Sequence, residues 1–215
     1  MKSLFTFILL LSSPVLFSKN SILGSGAISP LATYSNEWND IKYNACNTAA
    51  NAAYMSVAEI NVIYILNLVR TNPALFAKTV LKKYPVVSGK EELVNNAYYY
   101  QSLMKKLLTM EPQEMLYPDN TCYTSAKCHA YSSGIAGYVG HERRNRDCKT
   151  KQHYFGECCD YGNADPLEIV LSLLIDEGVP SLGHRNICLG DYTRIGVSIQ
   201  PHSKYGTNAV FDFYY

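Results

Sequence analysis

DPLEIVLSLLIDEGVPSLGHRNICLGDYTRIGV, residues 165–197, carries a helix, a tight turn, a histidine, a short helical turn and the start of a strand. Asp165 suits an N-cap and Pro166 the first helical position, where a missing N–H costs nothing. Leu167, Val170, Leu171, Leu174 and Ile175 recur at three- and four-residue steps, so one helical face is apolar. Gly178 and Pro180 stop that helix, placing Glu177 on its last turn and His184 just past the bend. Gly183 lets the backbone come close there. A carboxylate and an imidazole bracketing a helix stop can face one cleft. Taken alone, the stretch favours the plainer reading of a charged helix end and a loop histidine.

Working outward, TRIGVSIQ (193–200) and TNAVFDFYY (207–215) alternate or run apolar around the turn PHSKYG, a hairpin pattern. Upstream the periodicity is helical. Over 51–69, Val57, Ile60, Ile63, Tyr64 and Leu68 fall roughly in phase, and the pattern breaks at 70–73. Asn72 then caps a second helix, PALFAKTVLKKY, expected to end before Pro85. Residues 90–110 form an amphipathic helix with the stripe Leu93, Ala97, Tyr100, Met104 and Leu107. Another, over about 121–138, carries Cys122, Cys128 and His129. Residues 139–160 are irregular, polar and basic, with a short strand in HYFGECC. Helices first and a small antiparallel sheet last predict the α+β class.

The chain has 215 residues, enough for one well-buried domain and too few for two large ones. A formal net charge of +1 gives no argument for nucleic acid or an anionic membrane surface. Residues 1–18, MKSLFTFILLLSSPVLFS, read as a secretory signal peptide: an early lysine, a short apolar run, then small residues and Pro14. Residues 19–50 read as an N-terminal extension or linker, tied down at most by Cys46, and 51–215 as the domain. No later stretch is long and apolar enough to span a bilayer, so an extracellular, soluble mature chain is expected. Seven cysteines (46, 122, 128, 148, 158, 159 and 188) in an exported chain predict disulfides with one thiol left over. Paired CxxC spacing for a zinc ribbon is absent.

The most suggestive polar residues are His141 in GYVGHERR, Glu157 in FGECC, Glu177 in LLIDEG and His184 in LGHRNI. Two imidazoles and two carboxylates suit a divalent metal such as zinc, or acid/base work without one. HExxH is not matched, because no second histidine lies four residues after His141.

These segments, in order, resemble the CAP superfamily (cysteine-rich secretory proteins, antigen 5 and pathogenesis-related 1) in its microbial SCP-like branch. The likeness runs from about Ile60 to the C-terminus. NLVRTNPALFA resembles the first helix with its arginine, and LYPDNTCYTSAKCHAYSSG the helix carrying His-Ala or His-Ser. GYVGH resembles the segment of the first cavity histidine, FGEC the Gly-Glu-Asn and LLIDEG the Trp-x-x-Glu. GHRNICLGDYTRIGV resembles the Gly-His-Arg turn and its strand. Two positions depart: Cys158 stands for the asparagine and Leu174 for the tryptophan. The resemblance implies an α-β-α sandwich with a small antiparallel sheet between helices. Its cavity tetrad falls on His141, Glu157, Glu177 and His184, with the histidines binding zinc in some members. It also implies a groove for a lipid or sterol, and a host or cell-surface protein as partner. It implies no established reaction.

The first expectation is therefore a secreted binding module with a metal cleft. The second is a zinc-dependent hydrolase of peptides or cell-wall material, with Glu157 or Glu177 activating water. The third is a cysteine hydrolase using Cys158 or Cys159 with His184. His129 is expected to be a satisfied structural histidine, and Arg185 a helix-turn anchor. Arg143, Arg144 and Arg146 are expected on a solvated loop, one of them able to pair with a cleft carboxylate. His153 and His202 are expected on exposed loops.

Overall fold

A computed structural model describes residues 28–95 and 97–215. The segment read as a signal peptide lies outside the described residues, as does the extension up to residue 27. The rest of the extension is bound to the domain. Leu31 and Trp38 are buried, and the Trp38 indole donates to Thr79 Oγ1 at 3.1 Å. Two 3-10 turns, Asn36–Asn39 and Ile41–Cys46, follow each other there. Cys46 is a free thiol, so the attachment is noncovalent, by packing and hydrogen bonds.

Helix α1 (Val57–Thr71) opens with a reciprocal cap: Glu59 accepts from the Ser56 N–H, and Ser56 Oγ accepts from the Glu59 N–H. Arg70, near its end, is wholly buried. Its guanidinium donates to the carbonyls of Glu114 (2.8 Å), Cys188 (2.9 Å), Gly190 (2.7 Å) and Tyr192 (3.1 Å). Burial without a carboxylate partner brings its pKa down to about 10.

The second helical run is longer than its sequence suggests. Helix α2 (Pro73–Phe76), a π-helical turn (Ala77–Leu81) and α3 (Lys82–Ser88) continue through Pro85. Proline offers no N–H to the Leu81 carbonyl, but Tyr100 Oη donates to it at 2.8 Å. Next come α4 (Glu92–Asn95), α5 (Ala97–Thr109), the two-residue strand β1 (Tyr117–Pro118) and α6 (Asn120–Ala136). Asp119 caps α6, and Gly137, at φ 67°, ends it.

The C-terminal half supplies α7 (Arg146–Thr150), β2 (Gly156–Tyr161), α8 (Pro166–Ile175), α9 (Gly183–Cys188), β3 (Arg194–His202) and β4 (Gly206–Tyr214). The hairpin is β3–β4, as its alternation predicts. His202, expected to be exposed, is buried and organises the turn, its Nδ1 accepting from the N–H groups of Lys204 and Tyr205. Strand order is β1-β3-β4-β2. The sheet is mixed, because β1 runs parallel to β3. Helix α6 covers one face and α1 and α8 the other, giving the α+β class in three layers. The α6 layer sits very close. A Cβ on Gly196 would lie 2.0 Å from the Tyr123 nitrogen, and one on Gly134 would lie 2.1 Å from the Pro201 oxygen.

Ile195, Val197, Phe211 and Phe213 join the main core, while Val210 packs with Ala126 and Ala130 of α6. On β2 the same alternation sends Glu157 and Cys159 to the α6 side and Cys158 toward α9, where its thiol meets the His184 carbonyl. The cysteine expectation needs correction. One disulfide forms, Cys128–Cys148, linking α6 to α7, and five thiols are free and buried. Cys158 and Cys188 approach to 4.0 Å, a thiol contact and not a bond.

Candidate functional site

Strand β2 is an edge strand, and the chain folds over that edge from both faces. The α6–α7 loop brings His141 from one side, and the α8–α9 turn brings His184 from the other. Their ring centroids lie 6.3 Å apart.

His141 is half exposed, and its Nδ1 donates to Glu157 Oε1 at 2.8 Å. Glu157 is buried, and its second oxygen faces Arg143 at 2.5 Å. Arg143 is also buried and spans to Asp212 Oδ2 (3.1 Å), Ser125 Oγ (3.3 Å) and Tyr154 Oη (3.0 Å). Of the three loop arginines, this is the one that pairs with cleft carboxylates; Arg144 stays in solvent against Glu142. Burial pushes the Glu157 carboxyl up, but the His141 hydrogen bond and the Arg143 charge outweigh it and hold Glu157 below its usual value. Burial and the neighbouring Glu157 charge push Asp212 far up. The two acids thus share Arg143, the His141 and Arg143 contacts favouring the ionised form of Glu157 and burial favouring the protonated form of Asp212. His141 is raised by its bond to Glu157, against the opposing effect of burial.

His184 has a different carboxylate from the one its sequence neighbourhood suggests. Helix α8 ends at Ile175, and Asp176 turns left-handed at φ 57°. Its buried carboxylate folds back onto α9: Oδ1 accepts from His184 Nδ1 at 2.7 Å, and Oδ2 accepts from the N–H groups of His184 (3.0 Å) and Arg185 (3.3 Å). Glu177 therefore lies two residues beyond the helix, exposed, on the wall of a cavity of about 350 Å³ that His184, Asp160 and Cys159 also line. Leu182, at φ 50°, closes the same turn. Asp176 and Leu182 are the two non-glycine left-handed residues among those described, so the backbone carrying His184 is strained at both ends. Arg185 is the predicted anchor. It donates to the carbonyls of Leu174 (2.6 Å), Ile175 (2.7 Å) and Tyr99 (3.0 Å) and to Ser102 Oγ (2.9 Å).

Each imidazole thus has Nδ1 committed to a buried carboxylate, which fixes the tautomer and leaves Nε2 for a ligand. Buried His/Glu/Cys groups able to hold a metal ion are also present: ligand atoms of His129, Glu157 and Cys159 all lie within 4.8 Å of one another. His129 is fully buried and is only half satisfied. Its Nε2 meets the Gly140 carbonyl at 2.9 Å while Nδ1 has no partner. Cys158 and Cys159 lack the features of nucleophiles, since burial pushes both thiols far up. No family model, curated protein or solved structure matches the chain. Among the described residues, no helix is long and apolar enough to cross a membrane.

Proposed function

We propose that the chain is a secreted, CAP-like metal-binding protein whose cleft takes one divalent ion, zinc, between Nε2 of His141 and Nε2 of His184. The observation that carries this reading is the convergence of two histidines 43 positions apart, each backed through Nδ1 by a buried carboxylate. With metal–nitrogen bonds of about 2 Å, two rings sharing an ion sit on the order of 5–6 Å apart, close to the 6.3 Å separation here. Glu157 and Asp176 orient the rings, and Glu177 stands at the cavity rim. A lipid or protein partner of the kind the resemblance implies would meet the protein at that cavity, whose wall includes Leu93, Leu171 and Val179. Secretion is supported by the N-terminal sequence pattern and by the disulfide, a bond that persists in oxidising compartments.

A hydrolase is the second reading, favoured by Glu177 sharing the cavity wall with His184. A bound zinc would make an attacking water acidic, and Glu177 would hold the proton it gives up. Zinc titration by calorimetry on the wild type and on His141→Ala/His184→Ala tests the main reading. One ion bound by the wild type and lost in the double variant supports it; equal binding by both removes it. Chelator-sensitive cleavage of a peptide or peptidoglycan library, lost in Glu177→Gln, would establish the second.

A further inference from the structure

We infer a second, buried transition-metal site formed by His129, Glu157 and Cys159 beneath His141, on the α6 side of β2. It is independent of the His141–His184 reading, although Glu157 borders both. Three observations meet at this point. The ligand atoms of the three residues already lie within 4.8 Å of one another, before any adjustment to an ion. His129 is wholly buried and donates through Nε2 to the Gly140 carbonyl, so Nδ1 carries a lone pair with no partner. A buried polar atom left unpaired is costly, and an imidazole fixed by a backbone carbonyl on its other nitrogen is the usual state of a metal-ligating histidine. Finally, Cys159 is a free thiol on the cavity wall, which gives an ion a route in from solvent.

The donor set selects the ion. One thiol, one imidazole and one carboxylate suit zinc or cobalt and are poor for magnesium or calcium, which require oxygen. A divalent cation would meet two negative donors here, one thiolate and the Glu157 carboxylate, beside the Arg143 guanidinium. Arg143 retains Asp212, its other carboxyl partner. His141 borders the cluster, its Nδ1 lying 3.8 Å from Cys159 Sγ. Binding forms a metal–sulfur bond and breaks the S–H bond, with the proton leaving to solvent, so no oxidant or reductant takes part. A thiol gives up its proton when it ligates an ion, so one proton is released per ion and affinity climbs with pH.

Cobalt(II) is the probe, added to the full chain purified free of metal. The expected result is near-ultraviolet thiolate-to-cobalt charge-transfer absorption that is lost in Cys159→Ser and kept in His184→Ala. The loss of affinity in Cys159→Ser should exceed the roughly 10–100-fold typical of an outer-shell partner. Should Cys159→Ser not fold, Cys122→Ser and Cys188→Ser must both keep the absorption, and X-ray absorption on the zinc-loaded wild type must show one sulfur at about 2.3 Å. Cobalt bound without the sulfur band overturns the buried site and leaves the His141–His184 reading standing. A band that survives His141→Ala/His184→Ala with no second ion does the reverse. No binding at all removes both.

Discussion

The two histidines are held by two different kinds of structure. His141 sits on an ionic network of Glu157, Arg143 and Asp212 buried between α6 and the sheet, on a loop tied by Cys128–Cys148. His184 sits on a backbone device: Asp176 accepts from the first N–H groups of α9 while Arg185 collects the last carbonyls of α8. The first support depends on charge balance, the second on closing two helix ends at once. One cleft can thus be assembled from a part sensitive to protonation and a part that is geometrically fixed.

The largest effect that would break this contrast is on the ionic side. Arg143→Met strands ionised Glu157 in the interior and should cost about 3–5 kcal/mol, read by urea denaturation. Arg185→Met leaves three carbonyls without their donor. It should cost about 3 kcal/mol, since each unpaired buried group costs on the order of 1–3 kcal/mol. Removing the disulfide with Cys128→Ser/Cys148→Ser should cost a similar amount, about 3 kcal/mol for a loop of this length. It should also broaden the NMR signals of His141 and leave those of His184 sharp. If both histidines respond alike to these changes, the two supports are not separate.

Smaller effects sharpen the assignment of carboxylates. Asp176→Asn should weaken zinc binding by about 10–100-fold, and Glu177→Gln by less; the reverse order would return the second carboxylate role to Glu177. The smallest effect is in pH. His141 in the metal-free protein should titrate above its ordinary value by NMR and fall back toward it in Glu157→Gln. A raised imidazole pKa stabilises the fold below the unfolded value of about 6.5, and that contribution is lost as pH rises through the folded value. The depressed Glu157 carboxyl contributes above about 4.3 and loses it as pH falls through its folded value. The pair is therefore strongest between roughly pH 4.3 and 6.5.

Much of this architecture was readable in the residues. The Asp165 cap, the hairpin and the α6 segment depend on local signals, and Arg185 was identifiable from its place at a helix turn. The second carboxylate was missed by one position, because glycine and proline suggested a stop at 178–180. The actual stop is set by an aspartate side chain folding onto a helix that begins seven residues later, which periodicity does not register. Arg143 looked solvated because it lies among other arginines. The signal for its burial lay elsewhere: Asp212, a lone acid in the apolar run AVFDFYY, must find a cation if it is ionised in a sheet interior. Pro85 misled for a similar reason, since the donor replacing its N–H comes from Tyr100.

The Cys128–Cys148 bond also makes the backbone a closed ring over 128–148, with His129, His141 and Arg143 inside it and Arg144 and Arg146 exposed on its rim. A trypsin-like protease cutting after Arg144 would leave two polypeptides joined by one sulfur bridge. They would run as one band without reductant and as two with it. The protein can therefore be nicked within the segment that carries its first imidazole and still travel as a single molecule.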